Sequence, residues 1–161
     1  MRDLRGLYVL VLEALGSFII KVGKLGKLRF LKGRYLYIGS ATGVGSTSLE
    51  CRVKRHLKKR KRRFWHIDYL TTSPSITIQF AICFSIPTSH LPKSIRLECQ
   101  IVKEIMENIE SSSLIEGFGS SDCSCRGHLI YLGEMDSTYI IRALTRAFKN
   151  QGYSPFICMF K

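Results

Sequence analysis

The chain has 161 residues, of which 45% are hydrophobic and 23% are charged, and these proportions predict one globular domain spanning residues 1–161. Its 25 Lys and Arg outnumber its 12 Asp and Glu, and the net charge of +13 predicts a polyanionic partner, with nucleic acid favoured over a membrane surface. No stretch approaches the ~20 consecutive apolar residues of a membrane-spanning helix, which excludes an integral membrane protein of that kind.

The first predicted element is a buried strand from Gly6 to Leu12. Residues on both of its faces are apolar or aromatic, as in a central strand covered on both sides, so Tyr8 is partly shielded from water. The apolar run after the basic N-terminal residues resembles a secretory signal, but Glu13 interrupts it, Lys21 closes it and no small-residue cleavage site follows. We therefore expect a soluble, intracellular protein of the cytoplasm.

A hairpin and a second long strand come next. Ser17 to Val22 and Lys27 to Leu31 flank a glycine-containing turn and predict two paired strands. Arg34 to Ile38 predicts a further strand, with Tyr35, Tyr37 and Gly39 on one face. The fold class predicted from these elements is α/β, with a small mixed, largely antiparallel sheet flanked by helices.

A helix after Gly45, capped by one of the Ser and Thr residues at 46–48, carries an unusual stripe. At 3.6 residues per turn Leu49, Arg52 and His56 share one arc, so a cation and an imidazole occupy a face that should be apolar. Either residue alone has a simple explanation, a snorkelling arginine or a satisfied core histidine. Arg55 is the competing arginine, but we expect it on the outer face of the helix.

The segment from Arg52 to Arg63 contains nine basic residues and is followed by Phe64 and Trp65. Basic side chains suit phosphates and an aromatic ring can stack on a base, so this run predicts nucleic-acid binding. The alternatives are a solvated charged face, core packing of Trp65, and a His66 that orients Asp68 or caps a turn. The predicted nucleic-acid-binding residues are Arg55, Lys58, Lys59, Arg60, Lys61, Arg62, Arg63, Trp65 and His66.

A second candidate site lies on a later helix. Ser75 to Ile86 predicts a strand, and Ile95 to Ile109 predicts a helix on which Glu98 shares an arc with Ile101 and Ile105. A carboxylate on an apolar stripe costs desolvation energy unless it binds a cation or hydrogen-bond donors. A metal ion and a paired arginine are the two explanations.

Six cysteines are present, and without a secretory signal we expect reduced, buried thiols. Cys123, Cys125 and His128 hint at a metal site, but a one-residue gap is not a usual zinc spacing, and no second cysteine pair lies nearby in the sequence. The sequence therefore predicts no stoichiometric zinc. The low count of Asn and Gln hints weakly at a thermophilic source, in which intracellular disulfides occur.

The order of these motifs resembles the GIY-YIG nuclease superfamily, and the chain looks most like its DUF123 subfamily, some members of which are fused to an endonuclease III-like domain. The resemblance covers about residues 6–132, is closest over 35–41, 65–69 and 117–128, and leaves the remaining tail unassigned. The motifs that carry it are Gly6-Leu7-Tyr8, Tyr37-Ile38-Gly39, Arg52, His56 and Glu98.

This resemblance implies a divalent-metal-dependent endonuclease that hydrolyses phosphodiester bonds in nucleic acid, with DNA favoured over RNA. It implies that Glu98 binds one Mg²⁺ or Mn²⁺ ion and that Arg52 stabilises the phosphate charge. Tyr8 would orient or deprotonate the attacking water. Tyr37 and His56 would assist by hydrogen bonding or proton transfer, which completes the set of predicted catalytic residues.

One superfamily feature has no clear counterpart. Many members carry an asparagine after the metal-binding glutamate, and neither Asn108 nor Asn150 lies in a convincing context. Polar residues at 120–122 could supply the missing contacts. A catalytically inactive nucleic-acid-binding module and a purely structural protein therefore remain the alternative functions.

Overall fold

The computed structural model describes residues 4–153 and 155–158, and for residues 91–96 and 156–158 it describes the backbone alone. The strands are β1 (Gly6–Ala14), β2 (Phe18–Lys21), β3 (Lys27–Phe30), β4 (Gly33–Ala41), β5 (Ile76–Ser85), β6 (Ser113–Leu114), β7 (Leu129–Gly133) and β8 (Phe156–Cys158). The α-helices are α1 (Leu49–Leu57), α2 (His66–Thr71), α3 (Ser94–Asn108) and α4 (Ser137–Asn150). Short 3₁₀ helices occupy Gly23–Leu25, Gly45–Thr47 and Thr88–Lys93.

Six strands form one sheet in the order β6-β7-β4-β1-β5-β8, and β2 and β3 form the predicted hairpin as a separate pair. Every described pairing is antiparallel. The predicted α/β class, with a largely antiparallel sheet flanked by helices, is confirmed. β1 lies between β4 and β5, and its register places Tyr8 opposite Gly39.

Both faces of β1 are buried, as its sequence predicts. Leu7 and Val9 on one face join the apolar residues of α3 and α4. Tyr8 and Leu10 on the other face join α1, α2 and the hairpin. The aromatic side chains of the two tyrosine motifs therefore lie on the α1 side of the sheet.

The helices that carry the candidate residues begin and end close to the predicted positions. Ser48 caps α1, because its hydroxyl accepts a hydrogen bond from the amide of Cys51. The strand predicted over residues 75–86 is β5, and the helix predicted over residues 95–109 is α3. Of the described helices, none combines the length and the apolar character needed to cross a membrane.

The tail left unassigned by the sequence resemblance contains α4. Asp136 caps this helix by accepting from the amide of Thr138, and Ile140, Leu144 and Phe148 pack into the core on the side opposite the tyrosines. Their spacing of four residues is the period of an amphipathic helix. This period would have allowed the helix to be predicted from the sequence.

Candidate functional site

A cleft of about 590 Å³ lies beside the ends of β1 and β4 and collects most of the predicted catalytic residues. Tyr8, Tyr37, Arg52 and Glu98 all line it. His56 lies behind the wall, with its Nε2 2.8 Å from the hydroxyl of Tyr8. The fold thus brings together five side chains from two strands and two helices.

The second glycine of the tyrosine motifs has a steric role in this wall. A Cβ on Gly39 would lie 2.4 Å from the ring of Tyr8, well inside van der Waals contact. Gly119 fills a similar role beside Tyr37, because a Cβ there would lie 3.0 Å from its ring, and the backbone adopts a φ of +76°. Only glycine allows the two phenols to lie this close to the backbone.

Tyr8 and His56 form a buried, neutral hydrogen-bonded pair. Burial raises the pKa of Tyr8, and the cation of Arg52 opposes this shift. Burial and the charge of Lys61 lower the pKa of His56 to about 3. His56 Nδ1 makes no hydrogen bond within the described residues, and its nearest carboxylate is Asp68 Oδ1 at 3.9 Å. That carboxylate favours the His56 tautomer that carries its ring proton on Nδ1. In this tautomer Nε2 accepts a hydrogen bond from the Tyr8 hydroxyl.

Arg52 is held in place from two directions. Its guanidinium donates to the carbonyl oxygen of Ser40 at 3.0 Å. The same group lies 4.9 Å from the centre of the Trp65 ring, a cation–π contact. Since it also lines the cleft, it presents a fixed positive charge to an anion bound there.

Glu98 is a nearly buried carboxylate with 6% of its surface exposed. Burial raises its pKa to about 7, the Ser40 hydroxyl lowers it, and the charge of Asp122 raises it. Among the residues whose side chains are described, no Lys or Arg nitrogen lies within 4 Å of this carboxylate, although the more distant charge of Arg52 also lowers its pKa. A cation in the cleft would therefore find a carboxylate without a direct ion pair to these side chains.

Arg55 does not point outward as predicted. It forms a two-pronged ion pair with Asp68, at 2.8 and 2.9 Å, and donates to the carbonyl oxygen of Arg62. Asp68 is fully buried and also accepts from the amides of Phe64 and Trp65. A buried carboxylate requires such partners, so Arg55 organises the basic loop instead of meeting solvent.

Asp68→Asn should destabilise the protein by about 2–3 kcal/mol, because the variant leaves Arg55 partly buried without its counter-charge. Urea unfolding at neutral pH measures this as a lower midpoint with an unchanged slope. Glu116→Gln removes an exposed ion pair with Arg126 and should barely move the midpoint. Equal midpoints for Asp68→Asn and the parent protein would contradict this role.

The rest of the basic run divides into anchored and exposed residues. Lys59 Nζ donates to two carbonyl oxygens, those of residues 73 and 76, and Lys61 Nζ donates to those of residues 55 and 56. Burial lowers the pKa of Lys61 to about 8. These two lysines tie down the loop, although Lys59 remains exposed. The side chains of Lys58 and Arg60 are exposed and make no hydrogen bond or ion pair in the described part of the chain.

The last residues of the run surround the cleft entrance. Arg62 lies 4.8 Å from the ring centre of Phe64, and Arg63 donates to the hydroxyl of Thr72. Trp65 is 38% exposed and lines the cleft together with Phe64 and His66. These aromatic residues are therefore accessible beside the basic side chains, as the sequence predicts.

His66 caps a turn over residues 116–119, one of the two alternative roles considered from the sequence. Its Nδ1 accepts from the amide of Gly119 at 2.9 Å, which joins α2 to the loop over residues 115–128. The same loop carries Asp122, which lines the cleft as the sequence expectation for residues 120–122 allows. Neither asparagine does so, because Asn108 and Asn150 both bond to Glu104 beside a separate cavity.

A second set of possible metal ligands lies next to Glu98. The ligand atoms of Cys99, Cys123, Cys125 and His128 lie within 4.8 Å of one another. The sequence argument against a metal site noted that no second cysteine pair lies nearby in the sequence, and it did not include Cys99, which α3 brings to the loop. The sequence signal that could have indicated Cys99 as a ligand was its position directly after Glu98.

A scan against protein-family models matches residues 7–151 to the family described as "Domain of unknown function DUF123". A search of curated proteins gave no match, and a search of solved structures gave none. The matched range contains all the predicted catalytic residues and all of α4 and covers most of the chain. The chain therefore belongs to the DUF123 family.

Proposed function

We propose that this protein is a divalent-metal-dependent endonuclease of the GIY-YIG type that hydrolyses phosphodiester bonds in DNA inside the cell. One observation carries the proposal: Tyr8, Tyr37, Arg52 and Glu98 converge on one cleft, with His56 bonded to Tyr8 behind its wall. Phosphoryl transfer depends mainly on positioning and on neutralising charge. The cation of Arg52 and the buried phenols would supply the positioning. The carboxylate of Glu98 would hold a metal ion that, together with Arg52, neutralises charge.

Each residue has a role that its surroundings support. Arg52, fixed by Ser40 and Trp65, would hold the phosphate and stabilise the charge that develops on its oxygens. Tyr8 would orient the attacking water, with its own proton directed to His56. Because the pKa of His56 is lowered to about 3, hydrogen bonding suits this imidazole better than the role of a strong resting base.

The residues of the cleft fit the metal that this function implies. Glu98, with Asp122 on the opposite loop, offers carboxylate oxygens, which are the ligands that Mg²⁺ and Mn²⁺ prefer. Glu98 would hold the single ion. Such an ion, when bound, supplies Lewis-acid stabilisation of the phosphate oxygens.

The surface beside the cleft supports DNA as the substrate. Arg62 is exposed against Phe64, and Lys58 and Arg60 are exposed earlier in the same basic run, so phosphates and an unstacked base could be held at the cleft entrance. The net charge of +13 also attracts polyanionic DNA, and it does so over a longer range than these contacts. The residues that anchor the loop, Arg55, Lys59 and Lys61, would shape this surface through their hydrogen bonds within the protein.

The triple variant Lys58→Gln, Arg60→Gln, Arg62→Gln should weaken binding to duplex DNA and flatten its salt dependence. Each lost phosphate contact reduces the slope of log affinity against log salt by about 0.9. Fluorescence anisotropy over a salt series measures the slope. As a control of equal charge, Lys24→Gln, Lys27→Gln, Arg29→Gln alters the hairpin away from the cleft. Equal slopes for both triple variants would contradict this docking surface.

A catalytically inactive binding module is the second candidate, and the absence of both asparagines from the cleft favours it. One assay separates the two functions. The purified protein is incubated with a panel of DNA and RNA structures, with Mg²⁺, with Mn²⁺ or with a chelator. Cleavage that requires the metal supports the nuclease, whereas binding without cleavage under every condition supports the module.

A further inference from the structure

Four soft or borderline metal ligands meet next to Glu98, and one of them, His128, also lines the cleft. Cys99 follows Glu98 on α3, Cys123 and Cys125 lie in the loop over residues 115–128, and His128 precedes β7. His128 Nε2 lies 3.3 Å from the sulfur of Cys123. The sulfurs of Cys99 and Cys125 are bonded to each other as a disulfide, with their Cα atoms 5.7 Å apart, so the expectation of reduced, buried thiols is wrong for this pair.

The separation between Cys123 and His128 is close to that of two ligands of a tetrahedral ion, whereas Cys99 and Cys125 would bind such an ion as reduced thiolates, with their sulfurs farther apart than in their present bond. Zinc–sulfur bonds of ~2.3 Å and zinc–nitrogen bonds of ~2.0 Å place two sulfurs about 3.8 Å apart and a sulfur and a nitrogen about 3.5 Å apart. All four ligand atoms already lie within 4.8 Å of one another. Three cysteines and one histidine form a common structural zinc set, and four protein ligands leave no open position for chemistry.

The second nitrogen of His128 strengthens the assignment. A histidine that binds zinc usually donates its other ring N–H to a carboxylate, which fixes the ring. His128 Nδ1 faces Glu98, with 3.8 Å between the nitrogen and Oε2. The ring is therefore oriented with Nε2 toward the sulfurs and Nδ1 toward a buried carboxylate.

We propose that Cys99, Cys123, Cys125 and His128 bind one structural zinc ion. The ion would fasten the loop over residues 115–128 to α3. Because Cys99 is adjacent to Glu98, the same ion would fix the position of that carboxylate. The site is separate from the divalent site of the proposed nuclease and does not depend on it.

The competing state is a disulfide between Cys99 and Cys125 that leaves Cys123 as a thiol. The full chain is produced in medium containing zinc and purified with a reductant and without chelator. Elemental analysis should find one zinc per chain. Alkylation followed by mass spectrometry should find the three cluster cysteines protected until a chelator is added, while the partly exposed Cys51 reacts before and after.

Two variants locate the ion. Cys123→Ser should lose most of the bound zinc, whereas Cys51→Ser, on α1, should keep one equivalent. Wild-type protein without zinc and with Cys99 linked to Cys125 would overturn the proposal, as would full zinc content in Cys123→Ser. If Cys123→Ser does not fold, the protection pattern of the wild-type cysteines decides, since unprotected cluster thiols exclude the site.

Discussion

Glu98→Gln is expected to slow DNA cleavage by about 10³-fold or more while DNA affinity in the absence of metal stays nearly unchanged. The carboxylate would act through a cation that stabilises charge in the transition state, and such stabilisation is worth several kcal/mol. Glutamine keeps the shape of the side chain and removes its charge. Single-turnover cleavage rates and anisotropy with a chelator present separate catalysis from binding.

A matched control lies on the same helix. Glu107 is exposed, and among the described residues its one ion pair is with Lys103, so Glu107→Gln should cleave at the parental rate. Zinc content and unfolding midpoint of Glu98→Gln should be measured as well, because Glu98 also faces His128. Parental cleavage by Glu98→Gln would remove the central residue from the proposed mechanism.

Arg52→Ala is expected to give the second largest effect, a loss of about 10²–10³-fold in cleavage rate. A fixed cation aimed at developing oxyanion charge in a partly enclosed cleft contributes about 3–4 kcal/mol. Arg52→Lys should recover only part of this, because lysine lacks the planar group that contacts both Ser40 and Trp65. The measurement is the single-turnover rate at saturating protein.

Lys54→Ala is the control for Arg52→Ala, since Lys54 lies on the exposed side of α1 and pairs with Glu50. It removes one positive charge from the same helix and should leave cleavage nearly intact. If both variants lost activity equally, general electrostatic attraction would explain the effect. Arg55→Ala is unsuitable as a control, because its ion pair with Asp68 supports the loop.

Features that depend on local period or motif order were predictable. Alternation along β1 predicted its two buried faces, and the arc of α1 predicted that Arg52 and His56 share one side. The resemblance added the expectation that Glu98 belongs to the same site. These residues could be assigned because each one breaks a simple apolar pattern at a fixed position.

Features that depend on tertiary partners were not predictable. Arg55 and Asp68 are far enough apart in sequence that only the packing of α1 against α2 pairs them. Helical periodicity alone predicted that Arg55 lies on the outer face. In the folded protein Arg55 instead pairs with Asp68, because a buried carboxylate without a counter-charge would cost desolvation free energy. Cys99 likewise has no metal-like spacing to Cys123, because the loop and α3 approach each other only in the folded chain.

The central position of β1 has a consequence for biosynthesis. β1 is translated before β4 and long before β5, yet it must pair with both of them. A nascent chain that has reached only α1 therefore displays an apolar strand with an edge still open, the kind of segment that aggregates or recruits chaperones. Tyr8 is made early, but the cleft around it cannot close until the ribosome has added the loop that carries Gly119 and His128.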